Sequence, residues 1–183
     1  MNEFNREVSE MKKTTAYFKE RRPLFGSPFL FAVFLTLILL LRGTSIAGSD
    51  HQKMVHDMAH NVMPFDILKT KHIFEMTETG GIRQVVVKDP INTKQISLIR
   101  EHLRHEAMRF KNGDFSDPAS LHGASMPGLK ELAAGASKMS IEYAAIPSGG
   151  QITFTTHDIH LLTAVHRWFG AQLSEHGADA TYR

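Results

Sequence analysis

The chain has 183 residues, with 21 Lys+Arg, 19 Asp+Glu, 11 His and no Cys. The lack of thiols excludes disulfides, thiolate zinc sites, Fe–S clusters and covalent c-type haem attachment. The net charge of +2 divides unevenly: residues 1–47 carry seven Lys/Arg and four Asp/Glu, residues 48–183 fourteen and fifteen. The larger part therefore has no basic excess to neutralise a phosphate backbone, and no nucleic-acid partner is expected.

Residues 1–23 form a basic n-region containing Lys12, Lys13, Lys19, Arg21 and Arg22. Residues 24–47 hold an apolar run, LFGSPFLFAVFLTLILLL, followed by Ser45 and Ala47 at cleavage-site spacing. A spanning helix needs about 20 apolar residues and a signal-peptide h-region about 7–15. The run thus predicts either a signal peptide cleaved after Ala47 or a retained anchor, which Arg42 would suit. In both cases the basic flank stays inside and residues 48–183 cross the membrane. The expected location is the bacterial periplasm, free or anchored to the inner membrane. Membrane contact is then through this helix alone, if it is retained.

Residues 48–66 read as a His- and Met-bearing lead-in ended by Pro64, ahead of a globular domain at 67–183. Two segments of that domain, 71–110 and 138–177, resemble each other. Each has an extended run, a Gly-Gly pair (Gly80-Gly81, Gly149-Gly150), a second extended run and a helical pattern. Glycine pairs between β-rich runs suit hairpin turns requiring positive φ. Apolar spacings of three and four predict helices along Ile96, Ile99, Leu103, Ala107 and Phe110, and along Leu162, Val165, Phe169 and Leu173. Asn92 or Thr93, and Asp158, are candidate N-caps. Between the two units, residues 111–137 are rich in Gly, Pro, Asp and Ser. They predict a long packed loop with a short helix from Pro127 to Ala134. The fold class is α+β: two β-β-α units, one four-stranded antiparallel sheet, and two helices on one face.

The strings MPFD (63–66), IREHLRHEAMRF (99–110), GDFSDPASLHG (113–123), MPGL (126–129) and HRWFGAQLSEHGADA (166–180) resemble a bacterial family of small exported His-rich proteins. Members of that family often carry the label aspartate carbamoyltransferase. The resemblance covers roughly residues 56–180 and implies no known role. Carbamoyltransferase activity itself is rejected: the chain has neither a Ser-Thr-Arg-Thr-Arg loop nor a His-Pro-x-Gln stretch.

All 11 histidines lie from His51 onward. His56 and His60, with Met54, Met58 and Met63 nearby, are spaced to share a helix face, and imidazole with thioether is a copper ligand set. His122 and Met126 form a second candidate pair on the loop. The alternative there is a histidine bonded to Asp114 or Asp117. His166, His176 and His72 could meet at one end of the sheet, because buried imidazoles need partners. His102 is expected half exposed, and His157 and His160 at the surface. The candidate metal ligands are therefore His56, His60, Met63, His72, His122, Met126, His166 and His176. The favoured function is a transition-metal-binding accessory or carrier protein, copper first, with a periplasmic or inner-membrane partner. The alternatives are a non-metal interaction module and a small hydrolase or lyase using His122 and Asp117. No catalytic motif such as GxSxG or HExxH occurs.

Overall fold

The structure is a computed structural model, and it describes residues 46–183. The basic n-region and the apolar run at 24–41 lie outside the described residues. No helix among those described is long and apolar enough to cross a membrane.

Residues Ile46–Arg183 form one compact unit. In chain order they fold as α1 (Ile46–Ala59), β1 (Thr70–Thr77), β2 (Gly80–Val87), α2 (Thr93–Lys111), α3 (Ser116–His122), α4 (Leu129–Gly135), β3 (Ser140–Ile146), β4 (Gly149–Thr155), α5 (Ile159–His176) and β5 (Ala180–Tyr182). The class is α+β, as the two-unit pattern expects, but the sheet is mixed and has five strands in the order β3-β4-β2-β1-β5. The four predicted strands are all present, and every neighbouring pair among them is antiparallel. The fifth runs parallel to β1, with His72 opposite Ala180. Three residues are too few to show a periodicity. This strand forms because β1 would otherwise leave a row of unpaired backbone groups at the sheet edge.

The two long helices cover one face of the sheet. On β2 the buried parity is Gly81, Arg83, Val85 and Val87, and on β4 it is Gly150, Ile152 and Phe154. A Cβ at Gly81 would lie 2.5 Å from the Phe169 ring of α5, and one at Gly150 would lie 3.0 Å from Leu103 of α2. This revises the reason for the glycine pairs. Only Gly80 of the four has positive φ. The turn residues are Glu78-Thr79 and Pro147-Ser148, and the glycines open the following strands, where helix side chains (at Gly81 and Gly150) or the neighbouring strand's backbone (at Gly80 and Gly149) come too close for a side chain.

The α2 stripe is buried as expected, through Ile96, Ile99, Leu103, Ala107 and Phe110. On α5 the buried stripe is rotated from the expected one, to Leu161, Ala164, Val165, Trp168, Phe169 and Gln172. Leu162 and Leu173 are only half buried. The Asn92 side chain caps α2 by accepting from the Gln95 amide, and Asp158 caps α5 by accepting from His160 and Leu161. The expected 127–134 helix is Leu129–Gly135, started by Gly128 in the left-handed region at φ 82°. The loop also holds the seven-residue α3.

The lead-in contributes α1 to the same compact unit. Val55 and Ala59 are fully buried, and Gln52 Nε2 donates to the Ser174 carbonyl of α5. Met63 and Phe65 follow into the core.

Candidate functional site

One end of the apolar layer between sheet and helices is polar. His72, Arg83, His102, Glu106, His122, Gln172 and His176 are all buried there. Each element supplies its residue by parity. His72 and Arg83 lie on the buried faces of β1 and β2, with His72 opposite Val85 and Phe74 opposite Arg83. His102 and Glu106 are one turn apart on the buried face of α2. His122 ends α3 and His176 ends α5. After His176 the chain turns at Gly177, whose amide bonds to the Leu173 carbonyl, and β5 then pairs with β1 at His72. That short return sets His176 against His72.

Three imidazoles are in ring contact. The His72 and His176 centroids are 4.7 Å apart, and those of His122 and His176 are 5.0 Å apart. His122 Nδ1 donates to Glu175 Oε2 at 2.6 Å. His176 Nε2 donates to Gln172 Oε1 at 3.1 Å. Each of these rings therefore keeps its other nitrogen as an unprotonated acceptor. His72 is 1% exposed, and neither of its ring nitrogens has a hydrogen-bond partner. A buried polar group left unpaired costs about 1–3 kcal/mol. His72 is thus the unexplained member of the site.

Beside the rings runs an ion pair. Arg83 Nη1 donates to Glu106 Oε1 at 3.3 Å and Nη2 lies 3.0 Å from Oε2. His102 Nε2 approaches the same carboxylate at 3.4 Å, and its ring meets Phe65 edge-on at 5.5 Å. Burial strips water from the imidazoles and holds their pKa values down. His122 and His176 fall to about 4, and His72 well below its ordinary value. His102 is also lowered, although Glu106 opposes the shift. The Arg83 charge pushes all four in the same direction. The cluster is therefore neutral at pH 7, which is the form that ligates metals.

The remaining sequence candidates lie elsewhere. His56 and His60 do face one surface cleft, together with Met63 and Phe65. His56 is half exposed, with Nδ1 3.5 Å from Asp179 Oδ2, while His60 is open to solvent. Met54 and Met58 are exposed, whereas Met63 and Met126 belong to the hydrophobic core. His166 is separate from the cluster: its Nε2 donates to the carbonyls of Thr77 and Gly80, clipping the β1–β2 turn to α5. His122 pairs with Glu175 and not with Asp114 or Asp117, which both bind Arg109. The same pairing separates His122 from Asp117, the couple a hydrolase would have used. Among the described residues, no group of three or more His, Asp or Glu is placed so that it could hold a metal ion.

Sequence reasoning missed Arg83, Gln172 and Glu175, and read His102 as half exposed. The signal was available. Arg83 shares the two-residue parity of Val85 and Val87, and Glu106 lies on the stripe of Ile99, Leu103 and Phe110. Charges placed on apolar faces at opposite signs mark a buried pair. No family model, curated protein or solved structure matches this chain.

Proposed function

We propose that this chain is an exported or membrane-anchored bacterial protein that binds a transition metal, copper first, as an accessory or carrier. The site is the cluster of His72, His122 and His176. One observation carries this reading: two of the rings have one nitrogen tied to a side-chain acceptor, and they lie against a third ring with no partner at all. Metal-bound imidazoles almost always donate their second nitrogen to such an acceptor, which sets the tautomer and raises ligand basicity. Here Glu175 and Gln172 fill that role for His122 and His176. A metal entering between the rings turns their free nitrogens toward it and gives His72 the partner it lacks.

The resemblance to small exported His-rich proteins and the apolar run at 24–41 support the same compartment, where copper meets no cytosolic thiol pool. His56 and His60 form a weaker surface pair: His56 is half exposed beside Asp179 and His60 is open to solvent.

The test is metal titration of the purified full chain in mild detergent, read by equilibrium dialysis and by melting temperature. One metal per chain is expected, with a rise in melting temperature that follows from binding the folded state alone. Replacing His122 and His176 by Gln is expected to abolish binding, and replacing His56 and His60 to leave it intact. The opposite pattern moves the site to α1. No binding tighter than about micromolar by any first-row metal overturns the reading and leaves an interaction module.

A further inference from the structure

We infer that the face of the sheet turned away from α2 and α5 docks a second copy of this chain, face to face and about a twofold axis that crosses the strands. The histidines lie on the opposite face, so the inference does not depend on the metal reading. The helices cover the parity of Arg83, Val85, Ile152 and Phe154. The alternate parity faces the other way, and among the described residues none of its side chains is buried. A sheet face left to water is ordinarily polar throughout. Here its middle carries Ile73 on β1 and Ile82 and Val86 on β2, all half buried.

The order of residues along these two strands selects the occupant. On this face β1 presents Lys71, Ile73 and Glu75, and β2 sets Val86, Gln84 and Ile82 opposite them. β1 thus reads cation, apolar, anion, and β2 reads apolar, amide, apolar. Each pattern reverses into its own complement. Turned over about an axis through the Ile73–Gln84 pair, the face meets itself in four matched contacts. Lys71 falls on Glu75 of the second copy, Ile73 on Ile73, Gln84 on Gln84, and Ile82 on Val86. An axis running along β2 instead would set Glu75 and Lys71 on Thr153 and Gly149, which carry no charge. Charge therefore fixes the orientation, as rim ion pairs commonly do. Both charges are open to a new partner. Lys71 Nζ makes one exposed bond, to the Ala178 carbonyl at 2.7 Å, and Glu75 has no partner among the described residues. Aligned sheets pack about 30° apart. β1 and β2 are neighbours, so contacts this near the axis survive that rotation.

The test uses the full chain in mild detergent. Sedimentation equilibrium in density-matched buffer should give a dimer at about micromolar concentration. K71E and E75K should each weaken it by ~10-fold or more, because each sets like charges opposite one another twice per dimer. The charge swap K71E/E75K should return it to within ~3-fold of the unaltered chain. The chain has no cysteine, so an introduced thiol reports a single position. I73C, on the axis, should link to its copy through a bis-maleimide of about 8 Å, since packed sheets lie about 10 Å apart. T155C stands four residues along β4 from Gln151, which shares a row with Gln84. Its two copies are then about 27 Å apart along the strands and should not link. A chain that stays monomeric up to ~100 μM overturns the inference. So does a dimer that survives both charge reversals, or one in which T155C links as readily as I73C.

Discussion

Acid should unfold the metal-free chain earlier than its carboxylates alone would. The pKa values of His122 and His176 are lowered from 6.5 to about 4 in the folded state, mainly because burial disfavours the imidazolium. A histidine with a depressed folded pKa stabilises the fold fully above its unfolded value and ceases to do so as pH falls toward the folded one. The sensitive window therefore runs from 6.5 down to about 4. At about pH 5 the unfolded imidazole is protonated and the folded one is not, so each group withdraws about 2 kcal/mol relative to about pH 8. The two together withdraw about 4 kcal/mol, a large share of the 5–15 kcal/mol typical of a domain, and buried His72 adds to the loss in the same direction. Trp168 is the single tryptophan and is fully buried, so urea unfolding followed by its fluorescence reads the loss directly. The slope of stability against pH should be reduced but not abolished in H176Q, whose side chain does not titrate, because His72, His102 and His122 are depressed in the same sense. Stability that stays flat between about pH 8 and pH 5 would refute the reasoning, since it requires imidazoles that water reaches.

Two further outcomes are expected. Glu106→Gln strands the buried Arg83 guanidinium and should lower stability by about 3–5 kcal/mol, whereas replacing both by Met and Leu should restore most of it; a single-variant loss below about 1 kcal/mol in urea would mean that the pair is hydrated. Gly128 has φ 82°, and a Cβ there would stand 2.2 Å from the Ala164 carbonyl, whereas Gly123, at φ 91°, has nothing within 4 Å. Gly128→Ala should therefore cost on the order of 3 kcal/mol or more, and Gly123→Ala only the backbone strain of about 1–3 kcal/mol. Equal melting temperatures for the two variants would contradict the close contact between the α4 start and α5.

Much of the scaffold was legible. The run of Ile96, Ile99, Leu103 and Phe110 has one reading at helical period, and Asn92 and Asp158 announce the helix starts they cap. The α5 stripe was harder, because Trp168, Phe169, Leu161 and Leu162 are apolar on adjacent positions and several phases fit. Packing against Phe154 and Phe110 chose the phase that buries Trp168. His166 was consequently turned away from the cluster and onto the hairpin carbonyls.

The site divides along the same line. Local sequence determined that His72 falls on a buried strand parity and that His176 closes a helix. It also determined that no thiol could join them. Periods of 2 and 3.6 residues carry that information over a few turns of chain. That His72 meets His176, that His122 turns to Glu175, and that Arg83 finds Glu106 were decided only by the tertiary structure. Those pairs join residues up to 104 positions apart, as His72 and His176 show, and that longest one rests on a three-residue strand with no pattern of its own. Non-local contacts of this kind depend on which sheet edge is left open and which helix covers it, and no window of the sequence contains both partners.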